Sequence, residues 1–122
     1  MVVIVKVIVC GGRYFKSPAF VWTELDKLHK EYNFTDLMQG GATGVDTFAR
    51  EWACTKPEIQ RWTCKAEWDK YGPAAGSIRN ARMLEWKPDL VIAFPGNRGT
   101  ADMISKAYAA GVKVIKKGVE YG

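Results

Sequence analysis

The sequence predicts an α/β, Rossmann-like domain of three layers, in which a parallel five-stranded sheet of order 3-2-1-4-5 carries helices on both faces. Short apolar segments alternate with segments of helical periodicity along the chain, and that alternation is typical of right-handed βαβ units. The first apolar segment, residues 2–9, is rich in β-branched residues, as expected for a strand buried on both faces. The chain length of 122 residues predicts one domain over 1–122.

The first half of the chain supplies three strands and two helices. Strand 1 is predicted at 2–9. The helix at 18–32 has an apolar stripe at helical spacing, formed by Val21, Leu25, Leu28 and Tyr32. Strand 2, at 35–39, ends at two glycines. The next helix begins near Thr43, and strand 3 follows at 59–63.

The second half continues the same alternation. A loop at 64–73 leads to a helix at 74–86, a strand at 89–94, a helix at 100–110 and a strand at 113–117. Gly111 stands directly after the last helix, where glycine commonly ends a helix. The chain therefore winds outward from strand 1 through strands 2 and 3, and then returns to place strands 4 and 5 on its other side.

Composition excludes several classes of protein. No apolar run reaches the roughly 20 residues of a membrane helix, and the apolar start lacks the features of a signal peptide. Cys10, Cys54 and Cys64 show neither metal-ligand nor disulfide-framework spacing, so we expect reduced thiols, a cytoplasmic location (the host cytoplasm for a phage-encoded protein), no metal and no cofactor. The net charge of +5 favours an anionic ligand or serves solubility.

Glycine-rich turns follow strands 1, 2 and 4, which the predicted order makes neighbours. The carboxyl ends of strands 1 and 4 form the switch point where ligands bind in such sheets. The turns are Gly11-Gly12-Arg13, Gly40-Gly41-Ala42-Thr43-Gly44 and Pro95-Gly96-Asn97-Arg98-Gly99-Thr100. We therefore expect the three turns to line one pocket.

These turns have the chemistry of an anion site. Glycines expose backbone N–H groups, and a following helix N-terminus adds partial positive charge. Arg98 could clamp a phosphate, with Thr100 as a hydroxyl donor or N-cap, although Pro95 and its glycines could also form a simple connection. Asp46 could accept a hydrogen bond from a ribose hydroxyl, or could instead form a capping box with Thr43.

Two further groups offer both a functional and a structural interpretation. Arg79 and Arg82 share a helix face, with Asn80 beside them, and could either reach an anion or form a solvated basic face. Trp68 and Tyr71 could stack on a base or fix their loop to the core. Cys10 is interpreted as a packing residue, because no histidine lies near it in the sequence.

Four motifs together resemble the YspA-like branch of the SLOG superfamily of Rossmann-type domains. They are VCGGRYF, MQGGATGVDTFAREWA, AEWDKYGPAAGSIRNARM and DLVIAFPGNRGTADM, they occur in the order of that family, and the resemblance covers about residues 3–116. The resemblance implies bacterial or phage origin and a nucleotide or nucleotide-derived ligand. It also implies a homo-oligomer, with Met83, Trp86, Met103 and Tyr108 as candidate interface or core residues.

The Lonely Guy enzymes of that superfamily carry a PGGxGTxxE turn with a catalytic glutamate. Pro95, Gly96, Gly99 and Thr100 match this turn, whereas Asn97 replaces the second glycine. The glutamate position falls on Met103, and Asp102 lies one residue earlier, which is about 100° away on a helix. The departure leaves the expected phosphate cradle in place but removes the expected catalytic acid.

Three functions follow as hypotheses. The first is a sensor or sponge that binds a nucleotide, ADP-ribose-like or cyclic nucleotide ligand. The second is a hydrolase of the N-glycosidic or phosphoester bond of such a ligand, with Asp102, Asp46 or Asp69 as the acid. The third is DprA-like binding of single-stranded nucleic acid, which we do not expect, because no basic stripe with interleaved aromatic residues is present.

Overall fold

The computed structural model describes residues 3–118 and contains five strands and five α-helices in that range. The strands are β1 (Lys6–Cys10), β2 (Asp36–Gln39), β3 (Gln60–Thr63), β4 (Leu90–Ala93) and β5 (Lys113–Lys116). The helices are α1 (Pro18–Tyr32), α2 (Val45–Cys54), α3 (Trp68–Tyr71), α4 (Ala75–Glu85) and α5 (Arg98–Ala109). A 3₁₀ turn, Gly72–Ala74, joins α3 to α4.

All strand pairs are parallel, and the sheet has the order β3-β2-β1-β4-β5. The central strand β1 pairs Val7 with Leu37 of β2 on one side and with Leu90 of β4 on the other. The predicted α/β class and strand order are therefore confirmed. Because parallel strands end at the same edge, the turns after β1, β2 and β4 meet there.

The two faces of the sheet bury two separate sets of apolar side chains. Val7 and Val9 of β1 pack in the larger cluster with Val21 of α1 and Trp52 of α2. Ile8 points to the opposite face, because side chains alternate along a strand, and it packs in the second cluster, which includes Met103 of α5. Helices α1 and α2 thus cover one face, and α4 and α5 cover the other.

The first strand is shorter than predicted. It begins at Lys6 rather than near residue 2, and Val3 and Ile4 are 68% and 62% exposed. The register gives the reason: β2 begins opposite Lys6 and β4 opposite Val7, so neither neighbouring strand extends far enough to pair with Val3 or Ile4. Val2 lies outside the described residues.

The predicted loop at 64–73 was also wrong in part, since it contains α3 and most of the 3₁₀ turn. The N–H groups of Lys70 and Tyr71 donate to the carbonyl of Glu67 at 3.1 and 3.0 Å. A single helical turn is too short to show a periodic apolar stripe. The last helix, in turn, starts at Arg98 rather than at residue 100.

The structure distinguishes the candidate interface residues from one another. Met83 and Met103 are 2% and 1% exposed and belong to the core between the sheet and α4 and α5. Trp86 is partly buried against the same cluster, whereas Tyr108 is 57% exposed. Of the four, the two methionines are therefore core residues, and Tyr108 presents the largest surface to solvent.

Gly44 lies so close to the turn after β1 that the Cβ of an alanine in its place would overlap that turn. Its φ of 72° and ψ of −129° lie in a region that favours glycine, and an added Cβ would overlap the carbonyl oxygen of Gly12. We expect Gly44→Ala to lower the unfolding free energy by the backbone strain plus a packing penalty, each about 1–3 kcal/mol. Urea denaturation measures this loss.

Gly72 provides a matched control for that substitution. Its φ of 58° and ψ of −137° are close to those of Gly44, but no atom of the described chain lies within 4 Å of an added Cβ. Gly72→Ala should therefore show the strain alone. Equal losses for the two variants would contradict the packing of Gly44 against the β1 turn.

Candidate functional site

The three predicted turns are joined by backbone hydrogen bonds centred on Gly12. Its N–H donates to the carbonyl of Pro95 in the β4 turn at 2.8 Å, and its carbonyl accepts from the N–H of Val45, the first residue of α2, at 3.2 Å. The Thr43 hydroxyl donates to the carbonyl of Arg13 at 3.1 Å. The turns after β1, β2 and β4 therefore form one continuous surface.

Two adjacent cavities open on this surface, and we call them the inner and the outer cavity. The inner cavity has a volume of about 270 Å³, and its predicted lining residues are Gly11, Gly12, Arg13, Asp46, Arg79, Asn80, Asn97, Gly99 and Thr100. The outer cavity has about 330 Å³, and its predicted lining residues are Arg13, Gly40, Gly41, Thr43 and Arg79. Arg13, Ala42 and Arg79 line both cavities.

Four of the predicted residues line neither cavity. Pro95 and Gly44 instead supply the contacts with Gly12. Gly96 packs on Thr100, since an added Cβ would overlap the threonine hydroxyl and lie 2.8 Å from the N–H nitrogen of Gly12. Arg98 is exposed at the start of α5, and its role in binding stays a prediction.

Asp46 is the acid that the structure places in the inner cavity. It is only 6% exposed, and its carboxylate accepts from the N–H of Ala42 at 3.1 Å. No described side chain caps α2, whose N-cap is Gly44, so the predicted capping box of Asp46 with Thr43 was wrong. The Thr43 hydroxyl is instead turned to Arg13, because the turn bends back onto β1.

Burial raises the pKa of Asp46 from 3.8 to about 6. The N–H groups of Ala42 and Gly40 and the charges of Arg79 and Arg13 favour the ionised form, but they do not fully offset the loss of solvation. Asp46 can therefore accept a hydrogen bond when ionised and can release a proton near neutral pH.

Arg79 fixes α4 to the turn after β2. Its Nη1 atom donates to the carbonyls of Gly40 and Cys64 at 2.8 and 3.4 Å. A Cβ on Gly40 would overlap this guanidinium and lie 2.9 Å from the Asp46 carboxylate. Arg79 is thus held at the boundary of the two cavities, whereas Arg82, on the same helix, forms a surface ion pair with Glu67 at 3.6 Å.

Asp102 is engaged in contacts between α4 and α5. Its carboxylate accepts from Lys106 Nζ at 2.6 Å and from Asn80 Nδ2 at 3.0 Å. Burial alone would raise the pKa of Asp102, but the hydrogen bonds from Lys106 and Asn80 hold it below its ordinary value. Asp69 is exposed on α3 and lines neither the inner nor the outer cavity.

The N-terminus of α5 forms another wall of the inner cavity. Asn97, Gly99 and Thr100 line it there, and α5 has no side-chain cap among the described residues. The first N–H groups of a helix without such a cap are donors for an anion, and the helix dipole favours negative charge at that end. This wall and the arginines provide the positive charge of the site.

Several lining residues were not singled out from the sequence. Tyr14, 75% exposed, lines the inner cavity, and Lys65 lines the outer one. Tyr14 directly follows Gly11-Gly12-Arg13, and this position beside a predicted turn was the signal that could have identified it as a lining residue. Cys10 also lines the inner cavity, but burial and the neighbouring Asp46 raise the pKa of its thiol to about 12, so it stays protonated.

Residues 3–118 contain neither a cluster of metal ligands nor a membrane-spanning helix. Within that range, no cluster of three or more His, Cys, Asp or Glu side chains is placed to hold a metal ion. Also within that range, no helix combines the length and the apolar character needed to cross a membrane.

The raised pKa of Asp46 predicts how stability depends on pH. Between 3.8 and about 6 the folded protein holds a proton that the unfolded chain releases, so unfolding free energy falls as pH rises through this window. Asp46→Asn should remove this pH dependence. Between pH 4 and pH 7, the unfolding free energy of the variant should therefore rise by about 3 kcal/mol relative to that of wild type. Urea denaturation across this pH range measures the difference.

Asp102→Asn is the control with the opposite sign. The pKa of Asp102 is lowered, so its ionised form stabilises the fold above its ordinary pKa, and this contribution is lost as pH falls. The difference in unfolding free energy between wild type and Asp102→Asn should therefore decrease as the pH falls. If the unfolding free energies of wild type and Asp46→Asn depended on pH in the same way, the burial of a titrating Asp46 would be contradicted.

Comparison with known proteins identifies the family of this chain. Residues 5–71, more than half of the chain, match the family described as YAcAr, the YspA, cpYpsA-related SLOG family. The chain is also 34% identical over 124 aligned positions to the Gene 61 protein of Mycobacterium phage D29, with 93% of this chain and 96% of that protein covered. The chain therefore belongs to the YspA, cpYpsA-related SLOG family.

Proposed function

We propose that the protein binds a nucleotide or a nucleotide-derived ligand, either ADP-ribose-like or cyclic, at the carboxyl ends of β1, β2 and β4. In this proposal it acts inside the cell, as a sensor of a signalling nucleotide or as a sponge that sequesters one. The observation that carries the proposal is the inner cavity, in which a helix N-terminus, two arginines and a buried carboxylate face the same space.

The phosphate group is assigned to the N-terminus of α5 and to Arg13. Asn97, Gly99 and Thr100 bring the start of the helix to the cavity, and backbone N–H groups there suit phosphate oxygens. Arg13 is exposed and lines both cavities, so its guanidinium can reach a ligand in either. Arg79 adds a second positive charge, although its Nη1 is already bonded to two carbonyls.

The sugar is assigned to Asp46. When ionised, its carboxylate is an acceptor for ribose hydroxyl groups, and the N–H of Ala42 fixes its orientation at 3.1 Å. An ionised carboxylate repels phosphate oxygens, so the sugar and not the phosphate belongs at this wall. The ligand therefore lies with its phosphate toward α5 and its sugar toward α2.

Arg13→Ala should weaken the binding of AMP and ADP-ribose about tenfold or more, because a charge-assisted contact with phosphate is lost. Isothermal titration calorimetry measures the Kd. In a thermal-shift assay, a ligand at 100 times its Kd would add about 2.7 kcal/mol to wild-type stability. We expect a smaller stabilisation of the variant at the same ligand concentration.

Arg61→Ala is the matched control, since Arg61 is also exposed but lies on the edge strand β3 and lines neither cavity. It should bind both ligands as wild type does. Arg98→Ala should lose less affinity than Arg13→Ala, because Arg98 is beside the cavity but not in its lining. A wild-type protein that binds none of AMP, ADP-ribose and cyclic ADP-ribose would refute the proposal.

A second candidate function, hydrolysis of the N-glycosidic or phosphoester bond of such a ligand, is favoured by one observation. Asp46 is buried in the cavity with a pKa of about 6, a value suited to a general acid or base near neutral pH. Asp102, by contrast, is held by Lys106 and Asn80. The acid of a hydrolase in this protein would therefore be Asp46.

Product formation from AMP, NAD and cyclic ADP-ribose, followed by chromatography, tests this second function. If the protein is a hydrolase, Asp46→Asn should lower kcat by at least 100-fold, whereas Asp102→Asn should leave at least a third of the activity. Absence of product with wild type would leave binding as the function. Loss of turnover in Asp102→Asn alone would contradict the assignment of Asp46.

A further inference from the structure

We propose that the outer cavity is a nucleobase subsite, in which the indole of Trp68 stacks on the base of the ligand. This inference rests on the proposed function and adds to it the site of the base, in a ligand whose aromatic base is joined through a sugar to a phosphate. Stacking on Trp68 does not select among the bases, because every base offers a π-face to an aromatic side chain.

Trp68 is placed as a binding residue and not as a core residue. It is 47% exposed, it lines the outer cavity, and it belongs to neither described apolar cluster. A Cβ added to Gly76 of α4 would lie 3.4 Å from Cη2 of the indole, so one edge of the ring rests on this glycine. Tyr71 lines neither cavity, which separates the two aromatic residues of α3.

The order of the walls matches the order of groups in a nucleotide. Trp68 stands in the outer cavity, and the N-terminus of α5 stands in the inner one. Arg13, Ala42 and Arg79 line both, and Asp46 is hydrogen-bonded to Ala42 at this boundary. A base on Trp68 therefore places the sugar near Asp46 and the phosphate at α5.

The size and polarity of the outer cavity also fit a base. At about 270 and 330 Å³, each cavity alone lies near the lower limit of ligand pockets, whereas the two joined lie within the usual range. Thr43 and Lys65 line the outer cavity; the Lys65 ammonium can donate to a polar edge of a base, and the Thr43 hydroxyl, which donates to the Arg13 carbonyl, can accept from one. Stacking and edge contacts are thus available in one place.

The test compares a ligand that has a base with one that lacks it. Isothermal titration calorimetry with AMP and ribose 5-phosphate should show tighter binding of AMP by wild type. Trp68→Ala should weaken AMP binding about tenfold and leave the Kd of ribose 5-phosphate within twofold of wild type. Trp68→Phe should retain most of the AMP affinity, because it keeps an aromatic face.

Trp62→Ala is the matched control. Trp62 is 45% exposed, close to the value for Trp68, but it lies on the edge strand β3 and lines neither cavity. Its removal should leave the Kd of AMP and of ribose 5-phosphate unchanged. An equal loss of AMP affinity in Trp62→Ala and Trp68→Ala would overturn the assignment of the subsite.

The outcomes separate this inference from the function on which it rests. If wild type binds ribose 5-phosphate as tightly as AMP, or if Trp68→Ala weakens both or neither, the base subsite is refuted and phosphate binding stands. If wild type binds neither AMP nor ribose 5-phosphate, the base subsite is refuted, and the proposed function is refuted as well if ADP-ribose and cyclic ADP-ribose also fail to bind. Selective loss of AMP binding in Trp68→Ala, with rescue by Trp68→Phe, supports both.

Discussion

The site depends on Gly12, whose backbone is bonded to both neighbouring turns. Its N–H donates to Pro95 and its carbonyl accepts from Val45, so main-chain hydrogen bonds link the ends of β1, β2 and β4 to one another. The parallel order β2-β1-β4 makes this arrangement possible, because it brings three strand ends to one edge. An added Cβ on Gly12 would lie 3.0 Å from the Pro95 carbonyl oxygen, so a larger residue would require the turn after β4 to shift by a few tenths of an ångström. The walls of the inner cavity are therefore set by the backbone before any ligand arrives.

A second set of contacts, formed by side chains, connects elements of the site that the main-chain hydrogen bonds of Gly12 do not join. Asn80 donates to the carbonyl of Gly99 at 3.1 Å and accepts from Arg79 Nε at the same distance, while Arg79 also bonds the β2 turn. Helix α4 thus connects the turn after β2 to the start of α5. Asn80 is only 3% exposed, and a buried amide without partners would be costly. These polar side chains are therefore structural as well as part of the lining, and their substitution would disturb the shape of the cavity along with its charge.

The sequence predicted the sheet well because its signals are long and regular, whereas the roles of the polar residues depend on contacts between distant segments. The alternation of apolar strands with helices along the whole chain was sufficient for the strand order, but α3 is one turn long and has no such signal. Arg79 bonds a carbonyl 39 positions away, so its internal role was not visible in the local pattern. The Asp102–Lys106 pair, at i and i+4, has a spacing that favours ion pairs on a helix, but it was not among the predictions made from the sequence.

In the proposed binding mode, the position of Asp46 orients the ligand in the inner cavity. The family resemblance directed attention to α5 for a catalytic acid, but the buried acid comes from α2, on the other face of the sheet. The negative carboxylate and the positive end of the α5 dipole thus enter one cavity from different elements. Above a pH of about 6 Asp46 is ionised, so a phosphate is attracted to the N-terminus of α5 and repelled by the Asp46 carboxylate, which instead accepts hydrogen bonds from a donor group of the ligand. A sugar hydroxyl meets that requirement, and a ligand carrying phosphate and sugar has one favourable orientation.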